Sequence, residues 1–439
     1  MTPCRRPAAH FTKCVSIIGQ VSSGVTVITR ISILSLFTVA LTVVHADDWP
    51  GFRGPTGQGH SAERGIPLEW DESQNVVWKT PVDGLGWSSP VVVDDRVWLT
   101  TALTDDSAKR GSLHVQAFDV ETGEEVIDIE VFAIEDTRSP NPKNSLASPT
   151  PVVSGERVYV HFGAYGTAAL ATTGEVLWST RFAYDSQHGN GGSPILYGDL
   201  LILNIDGYDT AYVVALDTGT GEIRWKATRP DPISQAYSTP LLIKVGDRDE
   251  VVSIGAFRTS ALDPATGEEI WRVTYPEGFS NVPAPAYSRD YGMVFIATGF
   301  QQPSLLAVRV DGIGDVTPTH ISWKLGRGAP LTPSPLVVGD EVYVVGDTGI
   351  ATCLDVRTGE RRWRERLWGN YSASPLFVDD RIYFQSEEGI TTVVEPGTVF
   401  RELARNELDG RTLATPAVSN GSVFIRTDTH LYRISESRR

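Results

Sequence analysis

Cysteine is nearly absent from this chain. Three occur in 439 residues, and two of them, Cys4 and Cys14, sit in an N-terminal stretch unlike the rest. Cys353 is then the one thiol of the remaining chain, so an internal disulfide is excluded. It stands where a small buried apolar residue is wanted. No Cys-x-x-Cys, Gly-x-Ser-x-Gly or phosphate-cradling loop occurs, and Gly189-x-Gly191-Gly192 precedes a strand pattern, not a helix. His114, His161, His320 and His430 lack the paired spacing of metal ligands. Basic residues are also short: 38 Lys and Arg face 54 Asp and Glu, a net charge of −16. An acidic surface argues against nucleic acid or anionic lipid as partner.

Long apolar runs are missing too. The longest candidate, residues 31–44, is 14 residues against the roughly 20 a membrane-spanning helix needs. It follows four basic and no acidic side chains and ends at Val44-His45-Ala46, the pattern of a cleaved export signal over residues 1–46. A retained anchor through 31–44 and a true start near Val25 or Val27 are the alternatives. Lys13 and Phe11 before Cys14 do not make a lipid-attachment site. Losing the segment takes the net charge to −20 and leaves an exported, periplasmic protein, expected to be a monomer with no integral membrane domain beyond the signal.

What the chain has in quantity is repetition. Ser/Thr-Pro openings recur at Ser89-Pro90, Thr150-Pro151, Ser193-Pro194, Thr239-Pro240, Ser334-Pro335, Ser374-Pro375 and Thr415-Pro416, with Ala284-Pro285 as the variant. Closings read Ala261-Leu262-Asp263, Thr266-Gly267-Glu268, Trp271, with relatives at Ala215 to Trp225 and Cys353 to Trp363. A period of forty-odd residues marks a repeat architecture. Inside each unit, short β-branched runs alternate with Asp-Asp, Gly-Asp or Asn-Gly turns, the pattern of hairpins. Four-stranded units must stack around an axis to hide their faces, which predicts an all-β, eight-bladed β-propeller over 76–435. The eighth unit lacks its last strand, and the orphan Asn75–Thr80 carries the missing Trp, so the N-terminal strand is expected to close the ring. Residues 47–75 form a Gly/Pro-rich leader anchored by Trp49, Phe52 and Trp70, and 436–439 a short tail.

The Ala-x-Asp-x-x-Thr-Gly-x-x-x-Trp unit resembles the repeat of the PQQ-like β-propellers, and Asp48-Trp49-Pro50-Gly51-Phe52-Arg53-Gly54 resembles the opening of exported bacterial members. The resemblance implies either a BamB-like scaffold or a pyrroloquinoline quinone (PQQ) dehydrogenase. Members of the latter stack the quinone on adjacent cysteines and hold calcium with Glu, Asn and Asp. This chain has no such cysteine pair and no matching ligand set, so no cofactor is expected, with PQQ and calcium as the alternative.

Loops joining the outermost strand of one blade to the innermost of the next gather at one end of a propeller, and functional side chains favour such loops. Here they carry Trp87, Asn144, His188, Asn190, Gln235, Tyr237, Asn281, Arg327, Asn370, Tyr371 and Arg411. Amides, guanidinium groups and aromatic faces suit a small polar or anionic ligand; the competing assignment is that they satisfy loop backbone and buried water. The reading is a non-catalytic propeller binding envelope proteins or a small polar ligand. The alternatives are a quinone-dependent alcohol or sugar dehydrogenase, and a glycan-binding propeller.

Overall fold

A computed structural model describes residues 48–105, 109–135, 137, 141–300 and 302–436; the expected export signal over 1–46, with Cys4 and Cys14, and residues 437–439 of the expected tail lie outside the described residues. Among the described residues eight sheets follow one another along the chain, each built on four antiparallel strands, in sequence order in every blade but the eighth. Blade 1 has the longest strands: Val91–Val93, Arg96–Asp105, Arg110–Asp119 and Glu125–Ile134. The inner strands are buried and the outermost alternates exposed and half-buried residues, as expected where one face packs and the other is wet. The first hairpin turns place Asp94, Asp379, Asp380 and Asn420 at positive φ, as the turn residues predict.

Blade 8 contributes Ala417–Ser419, Ser422–Arg426 and His430–Ser435 and takes its fourth strand, Val76–Pro81, from the N-terminal side of the ring. Val76 pairs Ile434, Trp78 pairs Arg433 and Thr80 pairs Leu431. The ring is closed as expected. Blade 4 carries an addition that the repeat does not announce: Gly314–Asp315, inside the unit of blade 5, pairs in parallel with Trp271 and Arg272, and a single helical turn, Thr317–His320, follows it.

The closing motif is an inter-blade dock. In Asp355-x-x-Thr358 the Asp355 carboxylate accepts the N–H of Arg357 (2.9 Å), the N–H of Thr358 (2.8 Å) and the Thr358 hydroxyl (3.0 Å), which sets the turn. The preceding blade's outer tryptophan lies on that turn and donates to its carbonyl: Trp78 to Val120 (2.9 Å), Trp178 to Thr218 (3.0 Å), Trp225 to Pro264 (3.0 Å), Trp323 to Val356 (2.9 Å). The turn glycine is required twice over. Gly267 has φ +75, and a Cβ there would fall 2.5 Å from the Trp225 ring.

The Ser/Thr-Pro opening is a second inter-blade device. Its residue's N–H donates to the hydroxyl of its counterpart in the next blade: Ser89 to Thr150, Thr150 to Ser193, Ser193 to Thr239 (each 2.9 Å), then Ala284 to Ser334, Ser334 to Ser374, Ser374 to Thr415 (each 3.0 Å). The collar breaks between blades 4 and 5, where Ala284 has no hydroxyl to offer. Between blades 8 and 1 the buried Arg426 spans the step, donating to the Ser88 hydroxyl (2.7 Å) and the Thr100 carbonyl (2.8 Å).

Candidate functional site

Up-and-down strands put the blade-to-blade loops and the second hairpin turn of every blade on one face, and the first hairpin turns on the other. At the first face the axis opens into a funnel of about 720 Å³. Its wall holds Trp87, His188, Tyr208, Tyr237, Phe279 and Phe300 beside Asn141, Asn144 and Gln235, and its lower rim is the hydroxyl collar, from Ser89 and Thr150 round to Ser374 and Thr415. Each collar oxygen from Thr150 onward, Ala284's position excepted, already accepts a backbone N–H, so the proton it has to give is free to point toward the axis.

The leader closes the far end. Trp49 forms an antiparallel bridge to Val92, Val153 N–H donates to the Pro50 carbonyl (2.9 Å), Tyr287 N–H to Gln58 (2.7 Å), and Phe377 pairs with Gly59 and Ser61. Arg64 and Glu63 reach the turns at Asp380 and Gly421. The segment therefore touches innermost strands or first turns of blades 1, 2, 5, 7 and 8. It plugs that end of the axis. Trp49 and Trp70 are buried in the core, Trp70 stacked on Tyr383 with centroids 6.1 Å apart, while Phe52 forms part of the funnel lining.

Of the residues singled out from sequence, Trp87, Asn144, His188, Gln235 and Tyr237 line the funnel. Tyr237 donates to Gln235 (2.5 Å), and burial pushes its phenol well above the usual range. Asn144 donates to the His188 carbonyl (2.7 Å). Arg411 stacks over the Trp87 ring at 5.7 Å. The others sit elsewhere. Asn281 is fully buried and donates to the carbonyls of Gly255 (2.8 Å) and Gly278 (3.3 Å), holding a loop. Tyr371 is buried in the blade 6 core, its hydroxyl on the Trp368 carbonyl (3.0 Å). Asn190 bonds its own loop at Gly192, Asn370 bonds Glu388, and Arg327 is exposed outside the lining.

The lining residues missed from sequence have two sources. Tyr208, Phe300 and Asp347 are on second hairpin turns, which the alternation of strand direction alone places on the funnel face; Phe279, Leu331 and Thr332 lie in the blade-to-blade loops at positions neighbouring the chosen Asn281 and Arg327. Lys143, from the insertion between blades 1 and 2, crosses the mouth to Glu387 (2.8 Å) and Asp347 (3.4 Å) on blades 7 and 6. Burial lowers its ammonium pKa, but those two carboxylates outweigh it and the net shift is upward. Asp347 also accepts the N–H groups of Leu331 and Thr332 (3.1 Å each) and the Thr332 hydroxyl (2.8 Å), so its oxygens are committed to the loops. A calcium site wants six to eight oxygen ligands including several carboxylates. Asp347 is the one carboxylate among the described lining residues, and the donor set does not fit that ion.

A second cleft, about 580 Å³ between blades 3 and 4, holds Arg229, Arg258 and Arg272. Asp206 takes Arg229 (2.7 Å) and Glu269 takes Arg272 (2.8 Å). Cys353 is buried, its thiol pushed up to about 12 mainly by burial, and is structural.

Fold and funnel together define an eight-bladed propeller of the PQQ-like repeat class with an axial cavity. The chain belongs to the family described as outer membrane protein assembly factor BamB, which matches residues 64–230, 137–307 and 256–398. A BamB of Burkholderia pseudomallei is 30% identical over 104 residues, 24% of this chain and 27% of that protein, so the match spans about a quarter of the curated relative. Among solved structures, BamB from Moraxella catarrhalis superposes with a TM-score of 0.57 at 14% identity, covering 82% of this chain and 99% of that one. The quinohemoprotein alcohol dehydrogenase ADHIIG of Pseudomonas putida HK5 superposes with 0.51 at 12% identity over 80% and 76%. At such identities these likenesses show the fold alone. Among the described residues no helix is long and apolar enough to cross a membrane.

Proposed function

We propose that this protein is a non-catalytic binding propeller of the bacterial cell envelope that takes a flat, acceptor-rich small molecule into its axial funnel. The observation that carries the reading is the pairing of aromatic walls with the hydroxyl collar. Aromatic faces receive a planar ring, while hydroxyls whose oxygens already accept N–H groups are left as donors to carbonyl or carboxylate oxygens. A floor closed by Phe52 makes the funnel a blind pocket, the concave form small-molecule sites take. Family membership supports the coarser part, a scaffold with protein partners. Tyr208, Trp368 and Phe300, 43%, 54% and 56% exposed around the mouth, are the aromatics such a partner would meet.

The test uses the fluorescent aromatic sulfonate 8-anilinonaphthalene-1-sulfonate as probe, followed by fluorescence and melting temperature. One saturable site is expected, weakened about tenfold or more by Trp87→Ala, in keeping with the roughly 1.4 kcal/mol or more that a buried aromatic anchor contributes. Unsaturable binding, or binding indifferent to Trp87, removes the reading. A parallel titration with PQQ separates the rival: calcium-dependent binding with alcohol-driven dye reduction would make the protein a dehydrogenase.

A further inference from the structure

The outermost strand of blade 6, Arg361–Arg366, carries charge that its counterparts in other blades neutralise. Strand register makes the blades comparable. The residue after the outer tryptophan is Arg272 in blade 4 and Arg364 in blade 6, and Arg405 follows Ala404, which takes the tryptophan position in blade 7. Arg272 and Arg405 each meet a glutamate earlier on the same strand, Glu269 at 2.8 Å and Glu402 at 3.0 Å. In blade 6 that glutamate position holds Arg361, and the position of blade 7's Glu407 holds Arg366. Arg362 is paired, with Asp355 at 2.6 Å. Among the described residues Arg361, Arg364 and Arg366 make no ion pair, and all three are exposed.

The edge itself is open. Arg361–Arg366 ends the strand order of blade 6, so among the described residues its outward row of N–H and C=O groups faces no other strand, the condition for strand addition. Blade 4 shows the fold completing such an edge. There Gly314–Asp315 lies parallel to Trp271 and Arg272, the Val316 N–H donates to the Arg272 carbonyl (2.9 Å), and the Asp315 carboxylate stands 3.7 Å from the Arg272 guanidinium. An acidic extended segment thus covers the counterpart of Arg364. Side chains two apart on a strand share a face, so Arg364 and Arg366 project together, and their like charges repel until an anion joins them. Exposed Trp368, just past the strand, and exposed Val399, next to the Phe400 ring that packs on Trp363 at 5.2 Å, offer apolar contact beside the edge. None of the arginines lines the funnel, so this surface is independent of the axial pocket.

We propose that the outer edge of blade 6 binds a partner protein through an extended acidic segment, which adds as a further strand beside Arg361–Arg366 and sets acidic side chains at alternate positions against Arg364 and Arg366. Backbone pairing supplies the seat, and the guanidinium groups select the charge. The probe is a fluorescein-labelled peptide, Thr-Glu-Val-Glu-Val-Glu-Thr, followed by anisotropy against the full chain. Two companions separate charge from backbone: one carries Lys in place of Glu, and the other keeps every side chain but has its amides N-methylated. One saturable site is expected for the first peptide and none for either companion. Arg364→Gln with Arg366→Gln should weaken binding about tenfold or more and leave the melting temperature unchanged, since both side chains are exposed. Slower amide exchange across residues 361–366 in the complex would place the peptide on this strand. Equal binding of the N-methylated peptide would reduce the edge to a diffuse patch for any polyanion and overturn the proposal. So would binding indifferent to the double substitution, or no saturable binding at all.

Discussion

His161 shows how one side chain links burial to solution behaviour. It is 1% exposed, with Nδ1 2.8 Å from the Thr167 hydroxyl and Nε2 unpartnered. Burial lowers its pKa from 6.5 to about 3. Between those values the unfolded chain binds a proton that the folded chain refuses, so stability present above pH 6.5 is lost as pH falls. Denaturation midpoints from pH 8 to 4 should therefore decline more steeply for the native chain than for His161→Gln, by up to about 1.4 kcal/mol per pH unit below 6.5. Equal slopes would show that the imidazole takes no part. Asp119, held below the usual carboxylate range by the Thr122 N–H and then its hydroxyl, works in the same sense at lower pH. The residue scale is also where the sequence was most and least legible. Gly267 and Trp225 are readable because a turn at positive φ and an inter-blade ring leave a fixed spacing in the units that keep both. Asn281 and Tyr371 were not, because the same amide or phenol can face a cavity or satisfy a buried carbonyl, and only neighbours distant in the chain decide which.

At the scale of elements, the Ser/Thr-Pro opening was legible as punctuation but not as a bond. Its purpose appears once blades are side by side and each hydroxyl meets its neighbour's N–H. Ala284 leaves that series one bond short. Ala284→Ser supplies the missing acceptor to Thr239 and is expected to raise stability by about 0.5–1.5 kcal/mol, the usual net worth of an internal hydrogen bond. Differential scanning calorimetry reads this as a higher melting temperature, and a lower one would mean that the space beside Ala284 cannot take the hydroxyl. The short Gly314–Asp315 strand and the funnel-facing Asp347 escaped prediction for a related reason. An insertion has no period, and a second hairpin turn looks like any other loop until strand direction assigns it a face.

The whole molecule depends on one seam. Strand Val76–Pro81 is the only piece of blade 8 from the N-terminal side among the described residues, and without it the strand His430–Ser435 becomes an open edge, a template for pairing with other chains. Deleting 48–81 should raise the oligomeric state above that of the intact chain and broaden the unfolding transition, measured by light scattering and calorimetry. Restoring the segment as a separate peptide should recover the intact chain's behaviour by strand addition. A deleted protein with the same mass in solution and an unchanged melting temperature would show that blade 8 is complete with three strands. This seam was legible in sequence because both halves of the broken unit survive at the two ends of the repeat array.

The plug gives the seam a temporal meaning. Residues 48–64 are made before any blade, yet their bonds go to blades that include the seventh and eighth, so the earliest part of the domain to be synthesised is among the last to find its place. Until blades 7 and 8 exist, the bonds that hold residues 59–64 have no partners. Possession of a sealed pocket is thus a certificate of completeness, one that a chain stopped short of its final blade cannot present.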